Sequence, residues 1–596
     1  MIDRDPGDDN STPAPSGQDP EPPAAAPRPR WSRRARAAID PGWRHGLLLL
    51  GAALASALAQ PLALPVEPAT EFGPRWLLSL LAFVGPGLLM IAVRDVGPRR
   101  AYWYGLLYAA AQFAVVFNWI AIPIVVFGRL PLVVGVAGWL GVVAILAPIL
   151  ALAPWLARRI ETQTGLHPVL VWPVAWTAVE YLRNYFPLGG FPWGNIGASQ
   201  TGNSVVLQLA SLFGGYGLTF LVVTVNATWV LALVARRAGR PWPRLPIAVV
   251  ASALLLTVGY GLWRLHALDV AQRSAPTLTV AIVQGNIEQG IKNKAELHAP
   301  YILDKYQKLT AAARATGAKL IVWPESAHPA FFDRSAATLA GRGFGDPSAD
   351  VYTAAGVVFY FREGAAPGNQ VFLHNSVVVL GPELDVVGRY HKQRLVPFGE
   401  YVPWPLGILL GRLVPGAGQF RPGTLGPPTP VHGARVAGLI CYEGIFPQFS
   451  RGFVRLGANL LVNVTNDHWY GWSAAPHQHL AFYSLRAVEN GRSIVRAANA
   501  GISAFIGPDG GVHQPSALFE DAVLARDVTL HEARTLYTIV GDAVAQLSAL
   551  ATLFAFGLGW WRAGRLKSRV PKRPQSGEVC DGSERDPASR AADERG

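Results

Sequence analysis

Three short stretches of this 596-residue chain carry residues able to do covalent chemistry. Val436-Ala437-Gly438-Leu439-Ile440 delivers Cys441, followed by Tyr442 and Glu443. Leu320-Ile321-Val322-Trp323-Pro324 delivers Glu325, and Tyr390-His391-Lys392 opens a segment that runs on to Pro397, Phe398, Gly399 and Glu400. An ordinary thiol is mostly protonated at neutral pH, so attack on an ester or amide needs a base or a nearby cation. Glu325 has the chemistry of the base, Lys392 that of an ammonium facing a thiolate or an oxyanion, and Cys441 that of the nucleophile. Each has a bland alternative when taken alone: a small buried hydrophobe, a surface carboxylate after a strand, and a solvated basic loop. The other cysteine, Cys580, lies in a polar tail, which argues against a structural disulfide.

These residues need strands to hold them. Runs at Leu278 to Val283, Lys319 to Trp323, Gly356 to Phe361, Ser376 to Leu380, Val436 to Ile440, Leu460 to Val464 and Ser503 to Ile506 read as short apolar strands. Lys294 to Ala315 and His477 to Asn490 read as helices between them, the second with Leu480, Ala481, Leu485 and Val488 on one face. The alternation predicts α/β layers over 275–538, with the site beyond the carboxyl ends of the strands.

Before this domain the chain is membrane-like. Residues 1–42 are rich in Pro, Ala, Asp and Arg and read as a disordered cytoplasmic tail. Within a membrane domain over 43–270, seven apolar spans are predicted near 45–64, 76–93, 102–125, 131–157, 168–187, 205–235 and 246–268. A last span over 542–562 leads to a polar cytoplasmic tail, 563–596. The formal charge of +13 raises nucleic acid as a partner, but the basic residues flank apolar spans, so none is expected. Arginine clusters precede the first span and follow the second, fourth and sixth, which puts both termini in the cytoplasm and the α/β domain outside. Glu180 and Arg183, near the end of the fifth span, read as an intrahelical pair or as part of a lip, with Phe191-Pro192-Trp193-Gly194-Asn195, that admits a lipid head group. His477-Gln478-His479 lacks companion ligands and reads as helix surface or lipid lip; no metal or organic cofactor is expected.

The W-P-E-S stretch, the H-K-x-x-L-V-P-F-G-E-Y segment and I-C-Y-E, in this order, resemble the Glu-Lys-Cys triad of the nitrilase superfamily. With the spans, F-P-W and N-D-x-W at Asn466 to Trp469, the resemblance narrows to the apolipoprotein N-acyltransferase family over about residues 45–562. It implies an α-helical transmembrane bundle of about eight spans carrying a nitrilase-like α/β sandwich in the bacterial inner membrane, with the catalytic domain on the periplasmic or outer face. It also implies ping-pong transfer: Cys441 takes an acyl chain from a membrane phospholipid as a thioester, and the amine of a diacylglyceryl-cysteine on an apolipoprotein accepts it. By the same resemblance, Glu443 orients or tunes Lys392 and the thiolate, Glu400 holds the loop, and Tyr442, Trp193 and Trp469 belong to the substrate surroundings. A monomer is expected. A membrane-tethered amidase, with water resolving the thioester, is the competing reading. One departure stands out: Lys292 is followed by Asn293 where the family often has tryptophan.

Overall fold

The computed structural model describes residues 42–62, 74–347, 350–363, 370–402 and 419–568. Most of the two expected tails falls outside these residues. One compact unit, Gly46–Gly596, holds the membrane helices and the α/β domain together.

Each expected span appears as helix, but several are broken. The sequence predicts eight spans; among the described residues five helices are long and apolar enough to cross a bilayer, or six if Pro98–Val116 and Asn118–Phe127, bent by 57°, count as one. Gly42–Leu58 has 17 residues and Pro168–Arg183 has 16. Sixteen residues rise only about 24 Å, against a hydrocarbon core of about 30 Å. The bend after Val116 leads into a π turn, Pro123–Phe127, whose proline cannot donate to the helix ladder. Ala210–Arg237 is interrupted at Gly214 (φ 67°, ψ −177°), where a Cβ would lie 2.4 Å from the Tyr537 ring, so only glycine fits.

The α/β domain is built on two sheets. The first contains β1 (Thr277–Gln284), β2 (Leu320–Val322), β3 (Phe331–Asp333), β4 (Tyr352–Glu363), β5 (Gln370–Leu380), β6 (Val386–His391) and β13 (Ala522–Thr529), in the order β13-β1-β2-β4-β5-β6 with β3 beside β4. The second contains β7 (Thr429–Val431), β8 (Ala434–Ile440), β9 (Leu460–Thr465), β10 (Ser493–Ala498), β11 (Ala504–Ile506) and β12 (Val512–His513), in the order β12-β11-β10-β9-β8-β7. Side-chain alternation explains the layers. Leu278, Val280 and Ile282 share a core with Val436, Leu460 and Val462, whereas Ala281 and Val283 pack with Ile302 and Tyr306 of the helix Ala299–Ala315. Val377 and Val379 face the first core; Val378 and Leu380 face the second. The expected helix start at Lys294 moves to Ala299, where Pro300 occupies a first-turn position that needs no amide donor.

The helix Ala475–Asn490 lies between the second sheet and the membrane helices. It is buried on nearly every side, not along one face as its apolar residues suggest. Tyr442, Ile445, Phe446, Ala475 and Phe482 of the α/β domain belong to the same hydrophobic core as Phe113, Trp119, Trp176 and Trp193 of the membrane half.

Candidate active site

Glu325 stands two residues beyond Trp323, whose amide still pairs with β4 through Ala354 (2.9 Å). The turn rests on Gly356, where a Cβ would sit 2.3 Å from the Pro324 carbonyl oxygen and 2.5 Å from Glu325 Cα, so the close approach requires glycine. The buried carboxylate accepts from the Asn466 amide through Oε2 (3.0 Å) and from Asn375 Nδ2 through Oε1 (2.7 Å). Lys392, one residue past β6, brings its Nζ to 3.3 Å from Glu325 Oε1 and 3.0 Å from Glu400 Oε1. It is 1% exposed, so these carboxylates are its electrostatic environment in place of water. Glu400 closes the loop on itself, accepting from the Val396 amide (2.8 Å) and from Asn375 (2.8 Å).

Cys441 follows β8 at the start of a 3-10 turn, Cys441–Ile445, with φ 53°. Its carbonyl accepts from Tyr483 Oη (2.5 Å) and lies 3.2 Å from His479 Nε2. Burial pushes the thiol well above its ordinary range; Glu325 adds to the effect and Lys392 opposes it. Burial works against the Lys392 ammonium, but Glu400, Glu325 and Cys441 outweigh it and hold the lysine charged. A thiol, a carboxylate and an ammonium brought together in this way can support nucleophilic chemistry at sulfur.

Glu443 grips backbone. Its Oε1 accepts from Tyr390 Oη (2.8 Å), Gln393 N (2.7 Å) and Arg394 N (3.1 Å), and its Oε2 from Ile440 N (2.8 Å). It therefore ties the segment after Lys392 to the turn that carries Cys441. Burial raises its carboxyl, with the Ile440 amide and Lys392 opposing. Tyr442 donates to Leu395 O (2.6 Å), and its ring lies 5.9 Å from Lys392 Nζ.

The membrane half closes the back of this region. Glu180 and Arg183 do not bond to each other. Glu180 accepts from Ile196 N (2.8 Å), Trp176 Nε1 (3.1 Å) and Thr219 Oγ1 (2.6 Å), while Arg183 donates to Asn195 Oδ1 (2.9 Å) and to the carbonyls of Phe191 (3.1 Å) and Trp193 (2.6 Å). Both residues latch the Phe191 to Ile196 loop, leaving Trp193 2% exposed with its indole donating to Gln478 Oε1 (2.8 Å). Trp469 is 37% exposed and meets Phe127 edge-on at 5.3 Å.

Two family models match the chain: the apolipoprotein N-acyltransferase N-terminal domain over residues 56–228 and carbon-nitrogen hydrolase over residues 279–537. The apolipoprotein N-acyltransferase of Geobacter metallireducens is 37% identical over 479 residues, covering 78% of this chain and 88% of its own length. That of Azotobacter vinelandii is 34% identical over 551 residues, covering 91% and 99%. The chain belongs to the apolipoprotein N-acyltransferase family. Among solved structures, the NitN amidase from Neterenkonia sp. AN1 matches 45% of this chain and 98% of its own at 20% identity, with a TM-score of 0.31. The family membership and the observed sheets bear out the expected membrane bundle with a nitrilase-like α/β domain.

Sequence reasoning assigned no role to four residues that shape this site. Asn375 sits within β5 and donates from one nitrogen to both Glu325 and Glu400; the polar triplet His374-Asn375-Ser376, inside an otherwise apolar strand, was the available signal. Lys292 donates from Nζ to the Glu325 carbonyl (3.0 Å), and its buried ammonium is lowered to about 8, burial outweighing attraction to Glu325. Asp467 and Arg496 are ion-paired (2.5 Å) behind Cys441, next to His479. Of the expected helix surface or lipid lip, the surface part is corrected for His479, which is fully buried against Asp467; His477 is half-buried with Nδ1 3.1 Å from Arg75 Nη2. The helix is enclosed by the sheet and by membrane aromatics, which a count of apolar residues on one face does not reveal. No group of His, Cys, Asp and Glu suited to a metal occurs among the described residues.

Proposed function

We propose that this protein N-acylates diacylglyceryl-modified apolipoproteins by two transfers through Cys441. In the first, Glu325 takes the thiol proton as Sγ attacks an ester carbonyl of a membrane phospholipid, and the oxyanion forms toward Lys392. The C–O bond breaks, and Glu325 returns the proton to the leaving lysophospholipid hydroxyl. In the second, the amine of the diacylglyceryl-cysteine attacks the thioester, Glu325 removes its proton, the C–S bond breaks, and the thiol is restored. The observation that carries this reading is the buried Lys392 ammonium, shared by Glu325 and Glu400 beside Cys441. Two negative charges around it let one, Glu325, change protonation while Glu400 keeps the ammonium charged.

Lipid substrates account for the membrane half. A cavity of about 420 Å³ lies between Phe127 and Arg129 on one side and Glu288, Gln289, Asn293 and His468 on the other. Gln289 accepts from Asn466 Nδ2 (2.8 Å), and Asn466 in turn donates to Glu325. In this reading Arg129 meets a lipid phosphate there, and Asn293, where the family often has tryptophan, widens the recess. The domain over 275–538 faces the outer side of the inner membrane, the membrane domain over 43–270 and the last helix anchor it, both termini are cytoplasmic, and the protein acts as a monomer. The arginine clusters at Arg94, Arg99, Arg158, Arg159, Arg236 and Arg237 support that orientation.

Intact mass after incubation with phospholipid tests the chemistry. A hydroxylamine-labile acyl adduct is expected on the wild type and not on Cys441→Ala, and a diacylglyceryl peptide should discharge it as an N-acyl product. An adduct that survives in Cys441→Ala sinks the nucleophile assignment. Free fatty acid as the main product, with the peptide present, favours the hydrolase.

A further inference from the structure

Cys441 holds a backbone conformation that L residues rarely adopt, at φ 53°. Such a residue persists only where its surroundings over-determine it. Its amide side is fixed by the neighbouring Ile440 N–H, bound to Glu443. Its carbonyl is fixed by a second set of groups that touches none of Glu325, Lys392 or Glu400. Tyr483 donates at 2.5 Å, and His479 Nε2 lies at 3.2 Å, where a carbonyl can only accept. The imidazole itself is locked. Its Nδ1 is 3.0 Å from Asp467 Oδ1 and 3.1 Å from Arg496 Nη2, and its ring meets those of Trp193 (5.7 Å), Tyr470 (6.1 Å) and Tyr483 (5.6 Å).

The anchors are locked in turn. Asp467 Oδ2 accepts from Arg496 Nη2 (2.5 Å) and Oδ1 from Thr465 Oγ1 (2.9 Å); Arg496 also donates to Asn463 Oδ1 (2.5 Å) and the Ile502 carbonyl (3.1 Å). Asp467, His479 and Arg496 are all buried. A buried ionic set of this kind stabilises a fold no better than apolar packing of the same volume; here its members bear directly on the imidazole. Its route to the reacting sulfur runs through His479 and the Cys441 carbonyl.

We propose that His479 is a positioning residue: with Nδ1 accepting from Arg496, which Asp467 holds in place, it donates from Nε2 to the Cys441 carbonyl and, with Tyr483, holds the thiol on its line of attack. The histidine touches neither substrate nor sulfur. This inference rests on Cys441 being the acylated residue.

The test compares His479→Phe, which keeps a ring and loses the donor, with His479→Gln, whose amide nitrogen can still reach the carbonyl. Single-turnover thioester formation is followed by intact mass on the full-length protein with phospholipid, and steady-state transfer to a diacylglyceryl peptide gives kcat and KM. His479→Phe should slow thioester formation roughly 10- to 100-fold with KM for phospholipid unchanged, as expected for losing one positioned hydrogen-bond donor, and His479→Gln should restore most of the rate. If His479→Phe does not fold, His479→Asn takes its place, since its shorter amide can bond Asp467 but not the carbonyl. A wild-type rate in the donorless variant, or equal loss in the Gln variant, overturns the proposal. Cys441→Ala run in parallel separates the two readings: an adduct there refutes the nucleophile whatever His479 does.

Discussion

Glu443→Gln isolates the clamp between the lysine segment and the nucleophile turn with no change of shape. The carboxylate accepts four hydrogen bonds, three on Oε1 and one on Oε2, and three of the four donors are backbone amides. A glutamine keeps the most bonds by leaving its oxygen toward Tyr390, Gln393 and Arg394 and turning its nitrogen to the Ile440 N–H, so two donors then face each other. A hydrogen bond to a charged group contributes about 1.5–3 kcal/mol, so losing one outright and weakening the other three amounts to about 3 kcal/mol. If that loss falls on the alignment of Cys441 with Lys392, thioester formation slows on the order of 10²-fold. If it falls on the fold, the unfolding midpoint drops instead. Single-turnover acylation by intact mass and thermal unfolding in the same detergent read both. A rate within about threefold of wild type together with an unchanged midpoint would refute the clamp.

Other outcomes follow from the same geometry. Asn375→Leu removes the amide that bridges Glu325 and Glu400, and thioester formation should slow by on the order of 10²-fold or more, as expected for losing two bonds to charged acceptors; an unchanged rate would assign the residue to packing alone. Iodoacetamide should alkylate Cys441 slowly at neutral pH and faster as pH rises past the ordinary thiol range, because burial and Glu325 raise the thiol; fast neutral alkylation would show a thiolate at rest. Glu489 is raised from 4.5 to about 7, by burial first and against the pull of Arg486. A carboxyl raised in the folded state contributes stability below its unfolded value and loses it as pH climbs, so the fold should weaken between pH 4.5 and about 7 by up to about 3 kcal/mol. Glu489→Gln should flatten that dependence in thermal unfolding, and an unaltered slope would count against it. Gly444→Ala places a Cβ 2.2 Å from the Tyr483 ring and should cost about 1–3 kcal/mol of stability while drawing Tyr483 off the Cys441 carbonyl; normal stability and turnover would show that the ring can move freely.

Most core strands were legible because they are apolar, short and bounded, Glu325 and Cys441 because each follows such a strand within a recognisable motif, and Lys392 from its motif alone. β6 and β13 were not legible, since Val386 to His391 and Ala522 to Thr529 are largely part-exposed and are broken by Arg389 in the one and by Arg526 and Asp527 in the other. Asn375 and Arg496 were missed for a related reason: they are polar residues inside strands, and their partners lie 50 and 29 residues away or on another element. The membrane half was legible as apolar length but not as geometry. Nothing in a hydropathy run marks the π turn at Pro123 or the break at Gly214, which arise where neighbouring elements press in.

The shared core also bears on whether the α/β domain is portable. Trp119 and Trp193 both donate to one oxygen, that of Gln478, and their rings pack beside the helix that holds the Cys441 carbonyl. The floor beneath Cys441 is thus made in part of residues from the other half of the chain. Cut free, residues 276–542 would lose that floor and expose an aromatic socket to water. Solubilising agents that loosen the membrane helices act on the seat of the cysteine itself, so loss of lipid and loss of chemistry become a single event.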